Sequence, residues 1–205
     1  MNINLERYAG MDVYPYLNAV YTRCPVVHHL TNWVTIYDCA QAVKSLGASP
    51  VMSHALEEVA DMTNLASALV LNIGTLTSEF IESMKIAAHA ANSKNIPVIL
   101  DICGAGSTPF RDQKSFELLD YAHIDIIKGN RSEISRIAGL DVRTRGVDAG
   151  HVDVDLRRTA RLLAAERNCT VVITGEEDIV VDVNTTYIVR NGNEMMSRVV
   201  GTGCM

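Results

Sequence analysis

The sequence predicts an α/β domain built on a mainly parallel sheet, and three observations support this. Short runs rich in Val, Ile and Leu recur along the chain, as in buried strands. Longer amphipathic stretches lie between several of these runs, as expected of helices that connect parallel strands. Glycine or a polar residue follows four of the runs, at the strand ends where α/β proteins bind their ligands.

Six runs are interpreted as strands, and the last of them belongs to a hairpin. The β-rich sequence around Asn184-Thr185, followed by an Asn191-Gly192 turn, predicts an antiparallel addition to the sheet. The other five runs fit the alternation of strand and helix that a parallel sheet requires. The predicted strands are 26–30, 68–73, 96–100, 124–127, 170–174 and 178–183.

Four segments are predicted to be helices. In 78–93 and 154–166, apolar residues recur on one helical face, which would pack on the sheet. The segments 35–46 and 131–138 are the other two. The residues of the two apolar faces are Ile81, Met84, Ala88 and Ala91 in the first segment, and Leu156, Ala160, Leu163 and Ala164 in the second.

Composition favours one domain spanning 1–205 and argues against several classes of partner. The chain has 205 residues, 48% of them hydrophobic, which is enough for one sizeable core. With 18 basic and 24 acidic residues and no basic run, it is not expected to bind nucleic acid. No segment approaches about 18 apolar residues and no secretory signal opens the chain, so we expect no membrane partner and a cytoplasmic location.

The cysteines and histidines do not predict a disulfide framework or a transition-metal site. Five cysteines are an odd number and contain no CxxC pair, so free thiols are expected. Cys39 and Cys169 lie within apolar patterns and are interpreted as buried structural residues. The tandem His28-His29 would point to opposite faces of a strand, which disfavours a shared metal ion.

The last residues, GTGCM, contain a glycine-rich turn followed by a thiol. Backbone amides in such a turn can converge on an anion, although an ordinary glycine turn has the same pattern. The Walker pattern is absent, and GAGSTP at 104–109 ends in Pro109 where a dinucleotide fingerprint has glycine or alanine. Amide dipoles beside Cys204 would lower its thiol pKa and favour the thiolate.

Polar residues at other predicted strand ends suggest a phosphate and magnesium site. Asp101 and Glu133 are carboxylates suited to hold Mg²⁺ beside a polyphosphate, although Glu133 equally fits a carboxylate that caps a helix start. Lys128 would neutralise phosphate charge or be solvated. Thr174 would contribute a hydroxyl, although a strand commonly ends in Thr-Gly without any function.

Seven segments together resemble the hydroxyethylthiazole kinase family of the ribokinase-like superfamily. They occur in the family's order and at roughly its spacing, from about residue 15 to the end of the chain. The resemblance implies a three-layer ribokinase-like fold and transfer of the γ-phosphate of ATP, with Mg²⁺, to the primary hydroxyl of 4-methyl-5-(2-hydroxyethyl)thiazole. The segments are HHLTNWVTIYDCA, GASPVM, VLNIGTL, VILDICGAGSTPFR, IIKGNRSEI, VVITG and VVGTGCM.

The resemblance also implies roles for individual residues. Cys204 stands where many members of the superfamily carry a catalytic aspartate, and Asp101 and Glu133 resemble the family's magnesium-linked acids. The family is typically a homotrimer with the thiazole pocket at the subunit boundary. The implied substrate contacts are Asn32, Met52 and Gly201, and the implied ATP contacts are Lys128, Asn130, Thr174 and Gly203.

The chain departs from the family pattern in three places. Lys128 replaces an arginine, which substitutes a point charge for a bidentate group. Ile102-Cys103 follows Asp101 where the family usually has Pro-Val. Family members also continue for about sixty residues beyond GTGC, so the chain is expected to lack their C-terminal helical portion and the helix that this turn would cap.

Three other functions remain open on the sequence alone. The first is a related kinase for another small alcohol, such as a hydroxymethylpyrimidine or a sugar. The second is a protein that binds the thiazole without transferring phosphate. The third is a hydrolase that uses Cys204 as nucleophile with His28 or His29 as its base.

Overall fold

A computed structural model describes residues 12–139 and 156–204, and these residues form an α/β fold as predicted. Helices flank a central sheet. The strands are β1 (Val26–Leu30), β2 (Ser49–Val51), β3 (Ala68–Asn72), β4 (Val98–Asp101), β5 (Ile126–Asn130), β6 (Thr170–Thr174), β7 (Asp178–Val181) and β8 (Thr186–Val189). The α-helices are α1 (Tyr14–Arg23), α2 (Ile36–Ser45), α3 (Val59–Leu65), α4 (Ser78–Lys94), α5 (Pro109–Tyr121), α6 (Arg131–Ile137) and α7 (Leu156–Arg167), and a 3₁₀ helix covers Glu194–Arg198.

The sheet is parallel except at one edge. Its strand order is β2-β1-β3-β4-β5-β6-β7-β8, and every pairing from β2 to β6 is parallel. The hairpin of β7 and β8 adds in antiparallel orientation, which confirms the interpretation of the Asn184-Thr185 region. The carboxyl ends of the six parallel strands therefore lie along one edge of the sheet.

The register of the central strands places three polar residues in one row at this edge. Asn72 on β3 is paired with Asp101 on β4, and Asp101 is paired with Lys128 on β5. Directly paired residues in a sheet project from the same face. Strand pairing alone therefore brings the amide, the carboxylate and the ammonium group side by side.

The core confirms the predicted helical faces. Ile81, Met84, Ala88 and Ala91 of α4 are fully buried. On α7, Ala160, Leu163 and Ala164 are buried and Leu156 is half-buried. The apolar strand residues that belong to the same core cluster are Leu30, Leu69, Leu71, Val98, Leu100, Ile127, Val171, Ile173, Ile179 and Val181.

Several elements were not predicted, for identifiable reasons. The strand β2 has only three residues and contains Pro50, so it lacks a recognisable strand pattern. The helix α5 begins inside a segment that was interpreted as a loop: Thr108 caps it by accepting a hydrogen bond from Arg111 N, and Pro109 occupies its first turn. Residues 154 and 155 of the predicted helix lie outside the described residues.

Within residues 12–139 and 156–204, no helix is long and apolar enough to span a bilayer.

Candidate active site

Lys128 links two segments that the sequence placed in one site. Its Nζ donates a hydrogen bond to Asp101 Oδ2 at 2.8 Å and another to the carbonyl oxygen of Gly203. Asp101 is 5% exposed, so this ion pair is largely shielded from water. The end of β4, Lys128 in the middle of β5 and the glycine-rich turn therefore meet at one place.

The charge of Asp101 is only partly compensated. Burial raises the pKa of this carboxyl group, and the adjacent Lys128 ammonium opposes that effect. An anionic carboxylate whose pKa is raised in this way gains from a further nearby cation. The site is thus electrostatically suited to bind a second positive group next to Lys128.

Glu133 makes the contacts of a helix-capping carboxylate, which is the alternative that the sequence left open. Its Oε1 accepts a hydrogen bond from Gly104 N and its Oε2 accepts one from Asn130 N, both at 2.7 Å. Asn130 Oδ1 in turn accepts from Glu133 N, which completes a capping box at the start of α6. Burial raises the pKa of Glu133 despite these amide donors.

These two acids fit a metal ion only if other ligands complete its coordination. In the described part of the chain, no group of three or more His, Cys, Asp or Glu side chains is arranged to hold a metal. Asp101 and Glu133 are both buried and interact electrostatically, each with an elevated pKa. Mg²⁺ commonly binds through one or two carboxylates together with water and substrate phosphates, so the pair fits that mode.

Cys204 faces a second thiol that the sequence did not identify. The Cys103 thiol donates to the Cys204 sulfur and, as the first cause, lowers the pKa of Cys204 to about 6. Burial and the same contact raise the pKa of Cys103, which also lies near the negative charges of Asp101 and Glu133. The shift for Cys204 has the expected direction, but its main cause is the neighbouring thiol and not the amides of the turn.

The Gly201 turn packs against the loop that follows β1. Gly201 has φ +91°, and a Cβ at this position would overlap Thr35 Cγ2. Asn32 Oδ1 holds this loop by accepting hydrogen bonds from Val34 N, Thr35 N and Thr35 Oγ1. Asn32 and Gly201, both implied substrate contacts, thus both adjoin Thr35.

Met52 follows β2 directly and is anchored indirectly. The next residue, Ser53, has its carbonyl oxygen 2.7 Å from His28 Nε2, and a carbonyl oxygen can only accept, so this nitrogen carries a proton. His28 Nδ1 lies 2.9 Å from Thr63 Oγ1. A fully buried histidine on β1 therefore fixes the loop that carries Met52.

Thr174 and Asn130 lie at neighbouring strand ends, and within the described residues neither side chain is hydrogen-bonded to Lys128, Asp101 or Gly203. They face each other in the β5–β6 register. Thr174 Oγ1 is 3.5 Å from the carbonyl oxygen of Gly129, and the Asn130 side-chain oxygen is engaged in the capping box. The hydroxyl and the exposed amide nitrogen remain available to a ligand above these strands.

The positions of His28 and His29 argue against a hydrolase in which either of them is the base for Cys204. Both His28 ring nitrogens face Thr63 and Ser53, and His29 Nε2 is buried without a hydrogen-bond partner. No contact in the described residues joins either ring to Cys204. The base that this alternative required is therefore not in place.

Arg111 holds two loops of the site together, and the sequence alone does not identify it as a site residue. Its Nη1 donates to the carbonyl oxygens of Ile73 and Cys103, at 3.0 and 2.9 Å, and its Nη2 donates to that of Gly74 at 2.8 Å. These bonds tie the loop after β3 to the loop after β4. The sequence gives no signal for this role, because Arg111 binds backbone carbonyl groups, which every residue has.

The fold is that of the ribokinase-like class. A ribokinase-like superfamily protein from Enterococcus faecalis shares the fold, with a TM-score of 0.59 and 16% identity over 87% of this chain and 66% of its own. The hydroxyethylthiazole kinase protein from Pyrococcus horikoshii is far more similar, with a TM-score of 0.84 and 41% identity over 94% of this chain and 72% of its own.

Sequence comparison gives the family. Residues 17–205 match the hydroxyethylthiazole kinase family. The hydroxyethylthiazole kinase of Methanosarcina acetivorans is 55% identical over 181 residues, which cover 88% of this chain and 69% of that relative. The chain belongs to the hydroxyethylthiazole kinase family.

Proposed function

We propose that this protein transfers the γ-phosphate of ATP to the primary hydroxyl of 4-methyl-5-(2-hydroxyethyl)thiazole, a step of thiamine salvage. The observation that supports this most directly is the contact of Lys128 with both Asp101 and the turn before Cys204. This contact joins an ammonium group, a carboxylate and the turn before the Cys204 thiol at the carboxyl edge of the sheet, where such folds bind ligands. The family of the chain supplies the identity of the alcohol.

The nucleotide would lie over the ends of β4, β5 and β6. Lys128, Asn130, Thr174 and Gly203 would contact its phosphates, and Asp101 and Glu133 would hold Mg²⁺ together with water. The magnesium ion would neutralise charge on the transferred phosphoryl group. In such a site positioning and charge neutralisation dominate catalysis, because the loose transition state needs little early deprotonation of the alcohol.

The thiazole would bind between the loop after β1, the loop after β2 and the terminal turn. Asn32 and Gly201 both adjoin Thr35, and Met52 follows the neighbouring strand β2. Cys204 would receive the hydroxyl proton. Its lowered pKa supports this role, because a larger thiolate fraction is then available at neutral pH.

A kinase assay over a panel of alcohols tests the proposal. ATP consumption should depend on the thiazole alcohol and on Mg²⁺, and a chelator should abolish it. Hydroxymethylpyrimidine and a simple sugar serve as competing acceptors. Faster phosphorylation of either competitor would contradict the substrate assignment, and thiazole binding without any ATP turnover would favour a non-catalytic binding protein.

We also propose that the chain forms a homotrimer through its exposed aromatic surface. Tyr14, Tyr16 and Tyr21 on α1 are about 70% exposed, as is Tyr37 on α2. Trp33, directly after Asn32, is exposed as well, so one exposed aromatic side chain adjoins the proposed thiazole pocket. Exposed large apolar side chains can be covered when subunits associate. Sedimentation equilibrium should give three times the chain mass, and a monomer at micromolar concentration would contradict the proposal.

A further inference from the structure

Asn72 is a buried amide whose orientation is set by its neighbours. It is 1% exposed and ends β3 beside Asp101. Gly74 N donates to Asn72 Oδ1 at 2.8 Å, and a backbone N–H can only donate, so the atom that receives it is the amide oxygen. Asn32 Nδ2 donates to the same oxygen at 3.1 Å. The Nδ2 group of Asn72 must therefore project away from both.

The Nδ2 group makes no hydrogen bond in the described part of the chain, although it is buried. Most buried polar groups in proteins have a partner, so an unused donor at a binding site indicates that a ligand atom completes it. The Asn72 side chain lies beside its register partner Asp101 on β4, and it favours the charged forms of both Asp101 and Cys204. Neither group meets the geometry of a hydrogen bond with it.

The missing partner is an acceptor, and its position indicates which one. Asn72 stands between Asn32, on the thiazole side, and Asp101 with Cys204, on the phosphate side. Nδ2 can only donate, so an ammonium group or another N–H donor is excluded as its partner. An alcohol oxygen that lies beside Cys204 fits the available donor.

We propose that Asn72 is a further catalytic residue, whose Nδ2 donates a hydrogen bond to the hydroxyl oxygen of the acceptor alcohol. This rests on the proposed function. One lone pair of the oxygen accepts from Asn72, while the other forms the new bond to the γ-phosphorus. The O–H bond breaks and its proton goes to the Cys204 sulfur. The bond from the γ-phosphorus to the bridging oxygen breaks, and its electron pair leaves with ADP.

Two ligands that differ by one hydroxyl test the contact directly. Calorimetry would measure the Kd of 4-methyl-5-(2-hydroxyethyl)thiazole and of 5-ethyl-4-methylthiazole on the same proteins. Wild type should bind the alcohol about tenfold more tightly, the size of one or two good hydrogen bonds. In Asn72→Ala this preference should fall several-fold. A preference equal to that of wild type would overturn the inference.

A second variant separates donation from support of the loop. Asn72→Asp keeps an oxygen for Gly74 N and Asn32 Nδ2 but replaces the NH₂ group. It should lose the preference for the alcohol and lower kcat by about 10²-fold, as expected for one lost oriented donor. A purely electrostatic effect of the new carboxylate would weaken both thiazoles equally, and that result would contradict the inference.

The control is Asn92→Ala, at a position remote from the site. Asn92 Nδ2 donates to the carbonyl oxygen of His123 at 2.9 Å, so the same truncation removes a comparable bond. It should leave the ligand preference unchanged. If wild type binds and phosphorylates the alcohol, and the Asn72 variants have the same ligand preference and kcat as wild type, only the inference about Asn72 fails. If wild type does neither, the proposed function fails and the inference falls with it.

Discussion

Cys204→Ser should lower kcat by about 10²–10⁴-fold and leave the affinity for ATP nearly unchanged. Cys204 is the proposed acceptor of the substrate proton, and a serine hydroxyl cannot hold an anion at neutral pH. The contact from Cys103, which lowers the pKa of Cys204, would then stabilise no charge. Three of the proposed nucleotide contacts lie on β5 and β6, and the fourth, Gly203, has no side chain that the substitution changes, so ATP binding should persist.

The pH profile gives a second measurement of the same role. The wild-type rate should rise as pH increases through about 6, because the thiolate forms there instead of near the usual thiol value. This rise should be missing in Cys204→Ser. Cys24→Ser is a matched control, since Cys24 is exposed at the end of α1. Wild-type turnover in Cys204→Ser would remove the thiol from the mechanism.

Lys128→Met should lower kcat/KM for ATP by about 10²–10³-fold, the range found when one charge-stabilising donor is removed. Methionine has a similar length but no charge, so it can neither form an ion pair with Asp101 nor neutralise a phosphate group. Steady-state kinetics with ATP varied would measure the loss. Lys85→Met is the control, because Lys85 pairs with Glu82 and Glu117 on the helical surface. An unchanged KM and kcat for ATP would contradict the assignment of Lys128.

The same substitution should also change how stability depends on pH. Burial already raises the pKa of Asp101, and loss of the ammonium group would raise it further. When the pKa of a carboxyl group is higher in the folded than in the unfolded protein, the free energy of unfolding falls as pH increases. The fall begins near the unfolded pKa of about 3.9 and ends above the folded pKa. Denaturant unfolding of Lys128→Met should therefore show a falling free energy over that window.

A double variant separates stability from nucleotide binding. Combining Lys128→Met with Asp101→Asn removes the buried charge and should restore the free energy of unfolding at neutral pH. It should not restore the affinity for ATP. Recovery of both would mean that Lys128 acts only by pairing with Asp101.

Sequence reasoning predicted the sheet well because buried parallel strands differ sharply in composition from what surrounds them. The runs that form β3 and β6 consist of Val, Ile, Leu and Ala apart from their polar ends. The helix α5 was missed because few of its residues are apolar, and only Ser115, Leu118 and Leu119 are buried in it. Its N-cap residue Thr108 and the following Pro109 are visible in the sequence, but the same residues also fit a loop.

The candidate site was predicted in outline and not in its internal contacts. Strand ends identified Asp101 and Lys128, because the end of a parallel strand is a position that sequence can locate. The contact between Cys103 and Cys204 depends on how a distant turn folds back onto the sheet, which no local pattern encodes. The role of Asn72 depends on which of its amide atoms faces Gly74, a question that only coordinates answer.

The row formed by Asn72, Asp101 and Lys128 is fixed by backbone pairing between three adjacent strands. A shift of β4 by one residue would turn Asp101 to the opposite side of the sheet and dismantle the row at once. Residues 32–35 and Met52, by contrast, lie on connecting loops. Sequence changes in those loops could therefore alter the proposed alcohol pocket without disturbing the row. An insertion or deletion within the three strands would disrupt it.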